Sequence, residues 1–98
     1  MDLAAVTEKM RERVGENSGL GATVKFDFGD EGVLFVDGES TPNAVSNEDK
    51  EAQCTIKLTL SDFVAMGKGE LDAMTAFMMG KLKVSGDMSV AMKLQKVL

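Results

Sequence analysis

Apolar residues recur along this chain with two different periods, and each change of period marks the end of an element. Leu3, Val6, Met10 and Val14 fall at helical spacing, with Glu8, Lys9, Glu12 and Arg13 off that face. This predicts an amphipathic first helix over residues 2–17, ended by Asn17-Ser18-Gly19. The period then drops to two. Thr23–Phe28 sets Val24, Phe26 and Phe28 against Lys25 and Asp27, and Val33–Val36 returns after the turn Gly29-Asp30-Glu31-Gly32. Pro42 cannot donate to a ladder, so the weak strand near Asn43–Ser46 is expected at a sheet edge, followed by a polar loop over Asn47–Glu51. Gln53–Leu60 alternates most cleanly, with Cys54, Ile56, Leu58 and Leu60 on one face.

Residues 60–98 mix both periods. Ser61 and Asp62 are expected to start a short helix that Gly67 and Gly69 stop. Asp72 can cap a second, carrying Met74, Phe77 and Met78 at i, i+3 and i+4, and Gly80 closes it. Lys81–Ser85 alternates as a strand, Gly86 turns the chain, and Asp87 caps a final helix over Met88–Leu98. On that helix Val90, Ala91, Leu94, Val97 and Leu98 form one stripe at 100° per residue. Met88 and Met92 lie outside the stripe, and Gln95 sits between Met88 and its edge. Lys25/Asp27, Thr55/Lys57 and Lys81/Lys83 give three strands a wet face. A sheet with helices on one side and water on the other follows, an α+β fold.

Ninety-eight residues suit a single domain, 1–98, burying roughly 65% of its unfolded surface. No run approaches the roughly 18 apolar residues a spanning helix needs. MDLAAVTEKM lacks a secretory h-region and Lys96-Val97-Leu98 is not a peroxisomal address, so the cytoplasm is the expected compartment. The lone Cys54 fits a reducing one. Histidine is absent, which removes the commonest general base and metal ligand. The formal charge is −5, and residues 27–51 hold eight acids against Lys50. That argues against nucleic acid, which needs a basic footprint.

Catalytic motifs fail on context. Asp27-Phe28-Gly29 lacks room for the other kinase parts, Gly67-Lys68-Gly69 lacks phosphate-loop spacing, and Asp27, Asp30 and Glu31 do not follow the calcium-loop pattern. Cys54 alternates with Ile56 and Leu58 and has no histidine to activate it. Glu48/Asp49 sits in polar loop sequence, away from any apolar pocket. Neither catalysis, nor a cofactor, nor a metal is called for. What remains is methionine: six of the eight fall in residues 60–98. Met adapts to irregular shapes, and from spacing alone these residues either pack as core or line a cavity.

Ala52–Leu98 resembles the C-terminal half of sterol carrier protein type 2 domains. The resemblance rests on Cys-Thr-Ile at 54–56, Ser-Asp-Phe at 61–63, Ala-Phe at 76–77, Gly-Lys-Leu-Lys at 80–83 and Ala-Met-Lys-Leu-Gln at 91–95. It implies a helix, three antiparallel strands, a crossover to a fourth, intervening helices, a fifth strand and a final helix. The sheet is then five-stranded, mixed and mostly antiparallel, with helices on one face and an apolar tunnel between helices and sheet. The wall is drawn from Phe63, Met66, Leu71, Met74, Phe77, Met78, Leu82, Met88 and Met92, with Gln95 as a polar group beside it. The expected ligand is a long-chain lipid: fatty acid, fatty acyl-CoA, sterol or phospholipid. Transient membrane contact and a monomeric state complete the expectation. The alternative is a non-catalytic interaction module that docks another protein through its Met-rich surface.

Overall fold

The structure, a computed structural model, describes residues 2–15, 19–40 and 42–94. Helix α1 (Leu3–Val14) opens it, with the Asp2 carboxylate accepting from the Ala5 N–H (2.9 Å) and Gly15 ending it at φ 59°. Strands β1 (Thr23–Asp27), β2 (Val33–Asp37) and β3 (Ala44–Ser46) follow, then β4 (Cys54–Lys57), α2 (Leu60–Gly67), α3 (Ala73–Met78), β5 (Lys83–Gly86) and α4 (Met88–Leu94). A 3₁₀ turn, Gly29–Glu31, joins β1 to β2. The expected remainder of the last helix, Gln95–Leu98, lies outside the described residues, as do Asn17 and Ser18.

The five strands form one sheet in the order β3-β2-β1-β4-β5. Only β1 and β4 run parallel, with Val24 beside Cys54 and Phe26 beside Ile56; the other three pairs are antiparallel. This is the expected mixed sheet, and the Pro42 segment does end on an edge strand. Alternation sends Val24, Phe26, Leu34, Val36, Cys54 and Ile56 into one layer, all buried. Val6, Met10 and Val14 of α1 and Val90 of α4 close over it. Each buried aliphatic or aromatic side chain in this layer contributes about 1.5–3 kcal/mol of transfer free energy.

Several boundaries differ from the sequence reading: α1 ends at Val14, before Gly15, and β5 runs Lys83–Gly86 rather than Lys81–Ser85, so Gly86 closes the strand. Strand β4 stops at Lys57, and Leu60 belongs to α2, because the Thr59 hydroxyl caps the helix by accepting from the Asp62 N–H (3.0 Å). Leu58 and Leu60 are still buried, so the alternation there followed burial beyond the end of strand pairing. The outer face of the sheet is also drier than expected. The crossover after β3 brings Asp49 to Lys25 (2.8 Å) and Lys50 over the Phe35 ring (5.7 Å to its centroid), and Phe35 is buried. A loop that reads as solvated therefore covers part of the face opposite the helices.

α1 is fastened at both flanks. Arg11 donates through Nε and Nη2 to the Val45 carbonyl on β3 (3.3 and 3.2 Å), and Arg13 donates to the Gly67 carbonyl at the end of α2 (3.1 Å). Thr7, the one buried polar side chain among the described residues, donates to the Leu3 carbonyl and accepts from Asn47, which also reaches the Val33 carbonyl. Satisfying that hydroxyl removes the cost of burying it.

Candidate functional site

The candidate residues lie on α2, α3, the start of β5 and α4, and they divide by depth. Phe63 is deepest. Its ring sits edge-on to Phe26 (4.8 Å between centroids) and Phe28 (5.3 Å), a buried aromatic trio linking α2 to β1. Leu82 is also buried, while Met66 and Leu71 are partly buried against the core. The α2–α3 connection is tight: Glu70 and Leu71 both donate to the Ala65 carbonyl, and Gly69 takes φ 76°.

The rest of the set faces outward. On α3 only Ala76 is buried; Met74 is 57% exposed, Phe77 43% and Met78 81%. On α4, Met88 and Met92 are 50% and 71% exposed on either side of the buried Val90. Met79, which the periodicity did not select because it follows Met78 off the repeat, is exposed as well. Gln95 lies outside the described residues. The structure thus brings Phe63, Met66, Leu71 and Leu82 onto the core and leaves the α3 and α4 members partly or largely exposed.

Both exposed helices are locally well specified. The Asp72 carboxylate accepts from Thr75 N–H (3.0 Å), and the Lys81 N–H donates to the Ala76 carbonyl (2.8 Å), turning the chain into β5 through Gly80 at φ 75°. Asp87 starts α4 by accepting from the Ser89 N–H (2.9 Å) and hydroxyl (2.6 Å). Those two bonds hold its carboxyl below the usual carboxylate range, the hydroxyl contributing most. Its own N–H donates to the Gln53 carbonyl (2.8 Å), so α4 is tied to the start of β4. Cys54 beside this junction is fully buried; burial, with a smaller contribution from the Asp87 charge, pushes its thiol pKa up. A thiol held protonated is a poor nucleophile.

Two clefts lie elsewhere. One of about 300 Å³ is lined by Arg11, Gly15, Asn43, Ala44 and Val45, and one of about 220 Å³ by Glu31, Leu60, Ser61 and Val64. Neither is lined by a candidate residue. Among the described residues no group of three or more His, Cys, Asp or Glu side chains is placed to hold a metal ion, and no helix is long and apolar enough to cross a membrane.

The SCP-2 sterol transfer family matches residues 4–98, nearly the whole chain. The chain belongs to that family. Human sterol carrier protein 2 is 43% identical over 70 residues, which cover 70% of this chain and 13% of that protein's length. The SCP-2 fold is equally clear in solved structures. The crystal structure of sterol carrier protein 2 like 2 from Aedes aegypti superposes with a TM-score of 0.79 at 22% identity, over 98% of this chain and 95% of that one. The solution structure of palmitated SCP2L2 from Aedes aegypti gives 0.73 at 24% identity, over 99% and 94%.

Proposed function

We propose that this SCP-2 chain is a non-catalytic carrier that holds a long-chain lipid on the helix side of its sheet, against Phe63, Met66, Leu71, Met74, Phe77, Met78, Leu82, Met88, Met92 and Gln95. The observation that carries the reading is the exposure of Met74, Phe77 and Met78 on α3 and of Met88 and Met92 on α4, two helices docked on the core through Ala76 and Val90. The palmitated state of the Aedes aegypti relative supports an acyl chain as the occupant. Fatty acid, fatty acyl-CoA, sterol and phospholipid all offer such a chain or an equivalent apolar body. Binding is an equilibrium, with no covalent step, by a cytoplasmic monomer that has no affinity for nucleic acid.

The driving force is sufficient. Each methylene removed from water is worth about 0.8 kcal/mol, so a dozen outweigh most ordering costs. A dry tunnel is expensive without its ligand: a void of roughly 300 Å³ would cost about 7 kcal/mol at ~24 cal/mol per Å³. Open α3 and α4 faces are a physically reasonable empty state, and a ligand would draw the two helices together over it. Methionine side chains give such a wall broad selectivity.

Native mass spectrometry of protein purified from its host, followed by melting of delipidated protein with added lipids, tests this. Lipid at a hundred times its dissociation constant adds about 2.7 kcal/mol to the folded state, a rise in Tm of roughly 10 °C or more at this chain length. Circular dichroism or calorimetry is the readout, since Trp and Tyr are absent. A shift below a degree with fatty acids, acyl-CoA, sterols and phospholipids alike would overturn the reading. The exposure of Met78 and Met92 would then favour the second reading, an accessory module that docks a protein partner through this surface.

A further inference from the structure

The side chains of this chain that a peroxide attacks are few in kind. The sequence has no Trp, Tyr or His, which leaves methionine and the lone Cys54. Cys54 is fully buried, and burial raises its thiol pKa, so it is withheld from the thiolate form that reacts. The methionines divide by depth. Met10 is 2% exposed in the core, and Met66 is partly buried against it. Met74, Met78, Met79, Met88 and Met92 are all 50–81% exposed, on α3, α4 and the residue that ends α3. None of these five belongs to the core cluster. Ala76 and Val90 dock the two helices, and the Asp72–Thr75 and Asp87–Ser89 bonds start them. Among the described residues, the sulfur open to an oxidant therefore lies along the proposed lipid wall, and the sulfur of the core is shielded.

We propose that Met74, Met78, Met88 and Met92, with Met79 beside them, are sites of reversible sulfoxide formation through which a peroxide turns lipid binding off while the fold stays intact. In the forward step the thioether sulfur takes one peroxide oxygen. The O–O bond breaks, an S–O bond forms, sulfur loses two electrons, and the other oxygen leaves as water. Methionine sulfoxide reductases reverse it, with a thiol pair returning two electrons and the oxygen released as water. Each forward step turns a flexible apolar side chain into a polar one. In solvent that group is hydrated, so the empty protein loses little. Against an acyl chain it has no hydrogen-bond partner, and burying it there is unfavourable. The switch rests on the carrier reading and adds a control to it. Bound lipid would cover Met74, Met78, Met88 and Met92 and leave Met79, which lies outside the wall, open to oxidant.

The test is graded hydrogen peroxide on the full chain, with each sulfoxide mapped by peptide mass spectrometry and the fold followed by circular dichroism. Native mass spectrometry measures uptake of palmitate, palmitoyl-CoA, cholesterol and phosphatidylcholine before and after. The five exposed methionines should oxidise well ahead of Met10, with the melt nearly unchanged. Affinity for the lipid taken up should fall roughly tenfold or more, and sulfoxide reductases with dithiothreitol should restore it. Lipid bound beforehand should slow oxidation of Met74, Met78, Met88 and Met92 and leave the rate at Met79 unaltered. A Met74→Leu/Met78→Leu/Met88→Leu/Met92→Leu variant should show the same affinity before and after peroxide, whatever its starting value. Oxidation of Met10 as fast as Met78, unfolding at the dose that oxidises the five, or unchanged lipid affinity in the oxidised protein each overturns the proposal. So does a loss of affinity that the reductases fail to reverse, an arm that needs no variant. Untreated protein that takes up none of the four lipids would refute the carrier reading and the switch together, whereas the preceding outcomes refute the switch alone.

Discussion

Helix α1 and the pair α3 and α4 are built from similar apolar repeats, yet they end in opposite environments. Met10 of α1 is 2% exposed, while Met78 of α3 is 81% exposed. Residue type does not separate them. α1 lies across the β3 side of the sheet and is held there by Arg11, Arg13 and the Thr7–Asn47 bond, so its stripe meets a complete surface. α3 spans only six residues between Asp72 and Gly80, and one buried side chain, Ala76, docks it. An apolar repeat is a demand for a partner. In α1 the sheet meets it; in α3 and α4, among the described residues, it is met for Ala76 and Val90 and not for the exposed methionines.

The largest effects should separate the two regions by stability. Phe63→Ala removes the centre of the aromatic trio and should cost about 3–5 kcal/mol, and Met10→Ala about 2–5 kcal/mol. Met78→Ala should stay within about 0.5 kcal/mol, as exposed substitutions usually do. Chemical denaturation followed by circular dichroism gives all three values. If Met78→Ala proved as costly as Met10→Ala, α3 would be packed in solution and the contrast would vanish.

A sharper form of the same contrast lies within α4, where neighbouring positions face opposite ways. Val90→Glu places an unpaired charge in the core and should leave the chain largely unfolded, while Met92→Glu should fold with near-normal stability. Met92→Glu should nonetheless lose lipid binding, because the charge would face the ligand. Uptake of lipid by folded Met92→Glu at the wild-type level would remove α4 from the wall.

Backbone strain provides a smaller pair. Gly80 and Gly86 both have positive φ, 75° and 95°, but a Cβ at Gly80 meets open space and one at Gly86 would lie 2.4 Å from the Gln53 carbonyl oxygen. Gly80→Ala should cost about 1–2 kcal/mol from conformation alone. Gly86→Ala should exceed it, because strain of roughly 1–3 kcal/mol is joined by a backbone clash that cannot be relieved by a side chain moving. Equal costs in thermal unfolding would mean that the β5–α4 junction yields easily.

Much of this was readable from local pattern. Period two placed Val24, Phe26, Cys54 and Ile56 on the core face, and Asp72 and Asp87 cap the helices their positions suggest. The failures were non-local or competitive. Thr59 won the cap that Ser61 seemed to offer and left Asp62 as the first-turn acid, since a hydroxyl three residues before a free N–H can take it. The burial of Phe35 on the outer face was missed because the crossover that covers it is distant in sequence; the unbroken run Val33–Val36 was the signal, as strands buried on both faces lose their alternation. The apolar character of Met74, Phe77, Met78, Met88 and Met92 was legible, but their exposure was not. Periodicity reports that a face is apolar and is silent on what stands opposite it.

The smallest expected effect asks how α4 stays docked with Met88 and Met92 open to solvent. Its first turn is fixed by Asp87, whose carboxylate accepts from the Ser89 hydroxyl and N–H and whose N–H meets the Gln53 carbonyl. The fold depresses the carboxyl pKa, chiefly through the Ser89 hydroxyl, so folding favours the ionised form. Its contribution to stability is then fully present above the ordinary carboxylate range and is lost as pH falls through the folded-state value. Asp87→Asn keeps a capping oxygen but cannot titrate. Wild type should therefore be more stable than Asp87→Asn at neutral pH, and the gap should close on acidification. The change should be small, because the carboxyl is exposed to solvent. Denaturation of both proteins across an acid series, with the Asp87 carboxyl followed by NMR, measures the gap directly. A gap that stays constant into strong acid would show that the charge of Asp87 has no part in holding α4, and that Val90 and the backbone tie to Gln53 hold it alone.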